Sequence, residues 1–70
     1  MTTQQKIKAC LDLSNMTITD LAVKMGTSQQ NLSKRLKVGK FTQEELEKMA
    51  ALMGCEYKSS FIFPDGSVIS

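Results

Sequence analysis

The chain has 70 residues, 41% of them hydrophobic, with two cysteines, no histidine and a formal net charge of +2. A chain this short makes one small domain that buries only about 60% of its unfolded surface, so a disulfide, a metal or a partner subunit is the usual supplement. Without histidine a four-ligand zinc site and any Ser-His or Cys-His nucleophile are excluded, and Cys10 and Cys55 read as small buried hydrophobes, so oligomerisation is the expected supplement.

Met1 to Lys8 is polar and leads into no leader-like apolar run, and no stretch approaches the ~20 apolar residues of a membrane span. The expectation is a soluble, cytoplasmic protein with no membrane partner. A first helix is predicted over Thr3–Ser14, with Ile7, Cys10, Leu11 and Ser14 on one face and Asn15 as its stop. A second covers Ile18–Met25. Thr17 caps it, Asp20 stands at the capping-box position, and Leu21, Ala22 and Met25 form its buried stripe before Gly26 ends it. The third begins at the Ser28 cap and runs Gln29–Lys37, with Leu32 and Leu36 inward and every other residue polar. The fourth covers Gln43–Met53, started by Thr42 with Glu45 and stopped at Gly54. Met16, Met25, Met49 and Met53 fall on apolar stripes, the pattern of core filling.

After Glu56 the period changes to two. Tyr57, Ser59, Phe61 and Phe63 alternate with Lys58, Ser60 and Ile62, which predicts a strand. Pro64-Asp65-Gly66 is a turn sequence, and Ser67–Ile69 reads as the returning strand of a hairpin. The division expected is a helical domain over 1–55 and a β-like tail over 56–70. An isolated hairpin is marginal in water, so the tail needs something to pair with or pack on.

Charge is unevenly placed. Lys24, Lys34, Arg35, Lys37 and Lys40 occupy a stretch with no acid, whereas Glu44, Glu45 and Glu47 crowd the segment after it. Such a basic middle suits an anionic partner. Two short helices joined by Met25-Gly26-Thr27-Ser28 have the spacing of a helix-turn-helix, whose second helix enters the DNA major groove. Gln29 and Gln30 open that helix, and a glutamine amide matches the N6 donor and N7 acceptor of adenine. No glycine-rich phosphate loop is present, Glu44 and Glu45 suit a helix start, and neither an enzymatic activity nor a cofactor is expected.

Thr17-Ile18-Thr19-Asp20-Leu21-Ala22, then Met25-Gly26-Thr27-Ser28-Gln29-Gln30-Asn31-Leu32-Ser33, resembles the Cro/repressor-type (XRE-like) helix-turn-helix family. The resemblance spans roughly residues 3–55, with Ile7 and the Leu46–Gly54 helix also at family spacing. It implies a mainly α, compact four-helix repressor-like domain that binds double-stranded operator DNA as a homodimer on a palindrome. By position it implies base contacts from Gln29, Gln30 and Lys34, and backbone contacts from Thr17, Thr19, Ser28, Asn31, Lys37 and Lys40. Many members of that family end in a fifth helix that forms the dimer interface. This tail reads as strand-turn-strand instead, as in Cro-like proteins that pair C-terminal strands, so Tyr57, Ser59, Phe61, Ile62 and Phe63 are the expected dimer contacts. The alternative is an antitoxin or other protein-interaction module on the same fold, with a partner held at the hairpin around Phe61 and Ile62.

Overall fold

The computed structural model describes residues 2–70. Four helices, α1 (Thr3–Leu13), α2 (Ile18–Met25), α3 (Gln29–Val38) and α4 (Gln43–Leu52), precede an antiparallel sheet of β1 (Glu56–Tyr57), β2 (Phe61–Ile62) and β3 (Val68–Ile69), in that order across the sheet. The mainly α class with a C-terminal β element is therefore as the sequence predicts.

Each helix starts on a hydroxyl side chain, Thr2, Thr17, Ser28 or Thr42, which accepts the backbone N–H three residues on. In three of them the residue at that third position, Gln5, Asp20 or Glu45, accepts the cap's own N–H in return. These boxes satisfy first-turn donors that would otherwise lack partners. They matter here because helices of 8 to 11 residues are marginal alone and need both defined ends and tertiary packing.

One core joins every element. Ile7, Cys10 and Leu11 from α1 meet Leu21 and Ala22, Leu32 and Leu36, and Met49, Ala50 and Met53 from the other helices, with Phe61 and Phe63 of the tail closing it. Between α1 and the end of α4, the Ser14 hydroxyl lies 2.8 Å from the Cys10 carbonyl oxygen and 2.7 Å from that of Met53, and shares its one proton between them. Cys10 is fully buried and its thiol meets that of Cys55. Burial, then the neighbouring Cys55, pushes the Cys10 pKa up to about 12. Burial likewise raises Cys55. Both are free thiols, held protonated at neutral pH.

The tail departs from the single strand predicted over Tyr57–Phe63. It reverses at Lys58–Ser60, where the Lys58 N–H donates to the Ser60 carbonyl at 3.1 Å, and Tyr57 then pairs with Phe61 in the neighbouring strand. A continuous strand would carry Ser59 on the same face as Tyr57, Phe61 and Phe63 and bury its hydroxyl without a partner. Reversal leaves Ser59 in solvent and sets the Tyr57 and Phe61 rings 4.7 Å apart, centroid to centroid, tilted by 52°. The second reversal is the expected one. The Gly66 N–H donates to the Phe63 carbonyl at 3.0 Å, Gly66 takes φ 94°, and the Ser67 N–H donates to the Asp65 carboxylate at 2.8 Å.

This assignment corrects two expected dimer contacts. Phe61 and Phe63 are 1% and 8% exposed inside their own protomer. The alternation that marked them as one face of a strand was real, but that face is covered by α4 and the other helices. Phe61→Ala should cost about 3–5 kcal/mol, most of the stability of so small a domain, whereas Ile62→Ala on the outward face should cost the protomer in dilute solution under about 1 kcal/mol. Denaturant titration at several protein concentrations checks this: the Phe61 loss should persist on dilution, and a loss that fades in dilute protein would return Phe61 to an intermolecular contact.

The capping carboxylates also make stability pH-dependent. The Thr17 N–H holds Asp20 below the ordinary carboxylate range, and the Thr42 N–H, then Arg35, does the same for Glu45. A depressed carboxylate stabilises the fold above its unfolded value, and that contribution is lost as pH falls through the folded one. Thermal midpoints should thus be level above about pH 5 and fall below about pH 4. The fall should be shallower in Asp20→Asn, and an identical acid profile would contradict the assignment.

Candidate nucleic-acid interface

The α2–α3 unit is built by its turn. Gly26 takes a left-handed backbone, φ 74° and ψ 29°. Its N–H donates to the Val23 carbonyl at 3.1 Å and the Thr27 N–H to that of Ala22 at 3.0 Å. This pair of bonds is the Schellman closure, which satisfies the last carbonyls of α2 and turns the chain at once into Ser28, the cap of α3. Leu21 and Ala22 then pack with Leu32 and Leu36, all at most 1% exposed. With that stripe inward, 100° steps along α3 put Gln30, Lys34 and Lys37 on the opposite side, with Ser33 beside them and Asn31 on the flank.

All nine residues expected at a DNA surface are exposed: Thr17, Thr19, Ser28, Gln29, Gln30, Asn31, Lys34, Lys37 and Lys40. They are not equally available. Thr17 and Ser28 use their hydroxyl oxygens as caps, accepting from the Asp20 and Asn31 N–H groups at 3.1 and 3.2 Å. Gln29 and Gln30 occupy the first turn of α3, where backbone N–H groups have no intrahelical acceptor and the helix dipole is positive. Their side chains, the Asn31 side chain and those of Lys34 and Lys37 project from one short helix that carries no acid. Lys40 follows in the α3–α4 loop. Among the described residues the two ion pairs are Arg35–Glu45 and Lys58–Glu56, so Lys34, Lys37 and Lys40 keep their charges unpaired.

The sequence pattern did not expose what fixes that loop. The Gly39 N–H donates to the Arg35 carbonyl at 2.9 Å, with Gly39 itself at φ 74°. The Arg35 guanidinium lies 4.6 Å from the Phe41 ring centroid and donates to Glu45 at 2.6 Å. From the far side the Thr3 hydroxyl donates to the Gly39 carbonyl at 3.4 Å. Arg35 and Glu45 are ten residues apart, and no local periodicity signals such a pair.

Two concavities of the protein, about 410 and 350 Å³, lie away from this face, at Gly54–Glu56 with Ile62–Pro64 and at Lys8–Asp12 with Met16–Ile18. Neither includes a residue of α3, so the face suits insertion into a groove rather than capture of a small molecule. Among the described residues no three of His, Cys, Asp or Glu converge on a metal position, and no helix is long and apolar enough to cross a membrane.

No curated protein and no solved structure matches the chain. The model of the helix-turn-helix family matches residues 7–58, from the first core residue of α1 through α4 to the end of β1. The chain belongs to the helix-turn-helix family of Cro/XRE type, a family of DNA-binding transcriptional regulators.

Proposed function

We propose that the protein is a sequence-specific repressor that binds a palindromic operator in double-stranded DNA as a homodimer. One observation carries the reading: an acid-free α3 presents Gln29 and Gln30 at its exposed start, followed by the unpaired Lys34, Lys37 and Lys40. Gln29, Gln30 and Lys34 read base edges. Thr17, Thr19, Ser28, Asn31, Lys37 and Lys40 meet phosphate and set register, while the lysines supply salt-dependent affinity.

Size supports two protomers. Half-sites on a palindrome lie about 34–36 Å apart, and the protomer measures 31 × 21 × 19 Å with a single α3. One surface open to a partner is the outward face of the sheet. Ile62 and Val68 are cross-strand neighbours there, 37% and 54% exposed, and Ser59 stands exposed in the β1–β2 turn, whereas Tyr57 pairs with Phe61 on the inward face. A dimer contact built on Ser59 and Ile62 needs none of the residues already buried, and Tyr57 would contribute only the part of its ring left outside the core. The same exposed Ile62–Val68 pair is what a heterologous protein partner would use if the chain acted as an antitoxin or other interaction module. For a homodimer, protein concentration controls binding through the dimer equilibrium.

Selection of bound molecules from random duplex DNA at two salt concentrations tests the reading. The expected product is a palindrome with adenine at a fixed place in each half. Gln29→Ala or Gln30→Ala should relax that place by about 1–3 kcal/mol of discrimination with the fold intact. Salt-sensitive binding with no enriched motif would leave α3 a generic basic surface and turn the search to a protein partner.

A further inference from the structure

Arg35 is the one cation of the Lys34–Lys40 run whose charge another side chain holds, among the described residues. It stands on the flank of α3, between the buried Leu32–Leu36 stripe and the outward Lys34 and Lys37, and its side chain is 48% exposed. Unheld, it would lie beside the same DNA backbone that those lysines face. Its planar fork of donors suits phosphate better than an ammonium does. Such a contact adds affinity and salt dependence but reads no sequence.

Glu45 is oriented to prevent it. The Thr42 N–H donates to Glu45 Oε1 at 3.0 Å, and Arg35 Nη2 donates to Oε2 at 2.6 Å. One carboxylate thus closes the cap of α4 with one oxygen and takes the guanidinium with the other. The Phe41 ring beneath the guanidinium fixes its direction, toward α4 and away from the outward strip of α3. We propose that Glu45 is a positioning residue: by holding Arg35 against Phe41 it keeps a phosphate-competent cation off the duplex and so lowers sequence-blind binding. This inference rests on the DNA-binding reading above.

The test measures affinity against salt for a random-sequence duplex and for a selected duplex, using the full chain. In Glu45→Gln the amide at the same position keeps the capping box, and helical circular dichroism confirms the fold. The salt slope for the random duplex should steepen by about 0.9, roughly three- to four-fold more affinity lost between about 50 and 200 mM salt. Affinity for both duplexes should rise at low salt. Arg35→Gln alone should leave the slope unchanged, and in that background Glu45→Gln should no longer steepen it. An unchanged slope in Glu45→Gln would overturn the inference. So would a slope flattened by about 0.9 in Arg35→Gln alone, since Arg35 would then already sit on phosphate. Absence of salt-dependent duplex binding by the unaltered protein would overturn the DNA-binding reading beneath it, and shows before any variant is made.

Discussion

Gly26 must hold a left-handed backbone for α2 to stop and α3 to start within three residues. A side chain there would meet no neighbour, so the demand is conformational and not one of space. Given that turn, Leu21 and Ala22 reach Leu32 and Leu36, and the rotation of α3 about its own axis is settled. Everything proposed about the outward face follows from that rotation. Were α3 turned by a third of a revolution, Lys34 and Gln30 would leave the outward face together and the buried leucines would turn toward water.

The remaining elements close this unit and aim its edges. The sheet adds Phe61 and Phe63 to the core, and the Ser14 hydroxyl fastens α1 to the end of α4. The α3–α4 loop is held from two sides, by Thr3 through the Gly39 carbonyl and by Arg35 through Phe41 and Glu45. Lys40 thereby starts from a fixed backbone, and its contact with a phosphate would order one side chain and little else. That limits the ordering cost of binding.

Most of the helical half was legible because its signals are local. Hydroxyl caps, third-position acids and glycine stops placed each helix end within a residue: Ser14 and Met53 are caps rather than helical, and α3 continues to Val38. The Thr2–Gln5 box escaped notice because glutamine is a weaker marker there than an acid. The tail was half legible. Its composition and period announced strands, but the break at Lys58–Ser60 depends on where Ser59 would end up in the folded core. The same long-range dependence hid the burial of Phe61 and Phe63, which strand alternation cannot distinguish from an interface. On the candidate surface, the exposed Gln30 and Lys34 could be read from the sequence, because helical period alone separates them from Leu32 and Leu36; Gln29 shares the leucines' side of the wheel and is exposed because it opens the helix. The Arg35–Phe41–Glu45 cluster could not, because it joins two helices across a loop.

The central claim is that duplex DNA meets the face made by the start of α2, α3 and the loop that follows. Titrating duplex DNA into isotope-labelled protein while following backbone amide shifts tests it residue by residue. The account predicts shifts at Thr17 to Thr19, at Ser28 to Lys37 and at Lys40, with the sheet face of Ile62 and Val68 unmoved by DNA at fixed dimer content. Shifts confined to the sheet, or spread evenly over the lysines of every element, would contradict it.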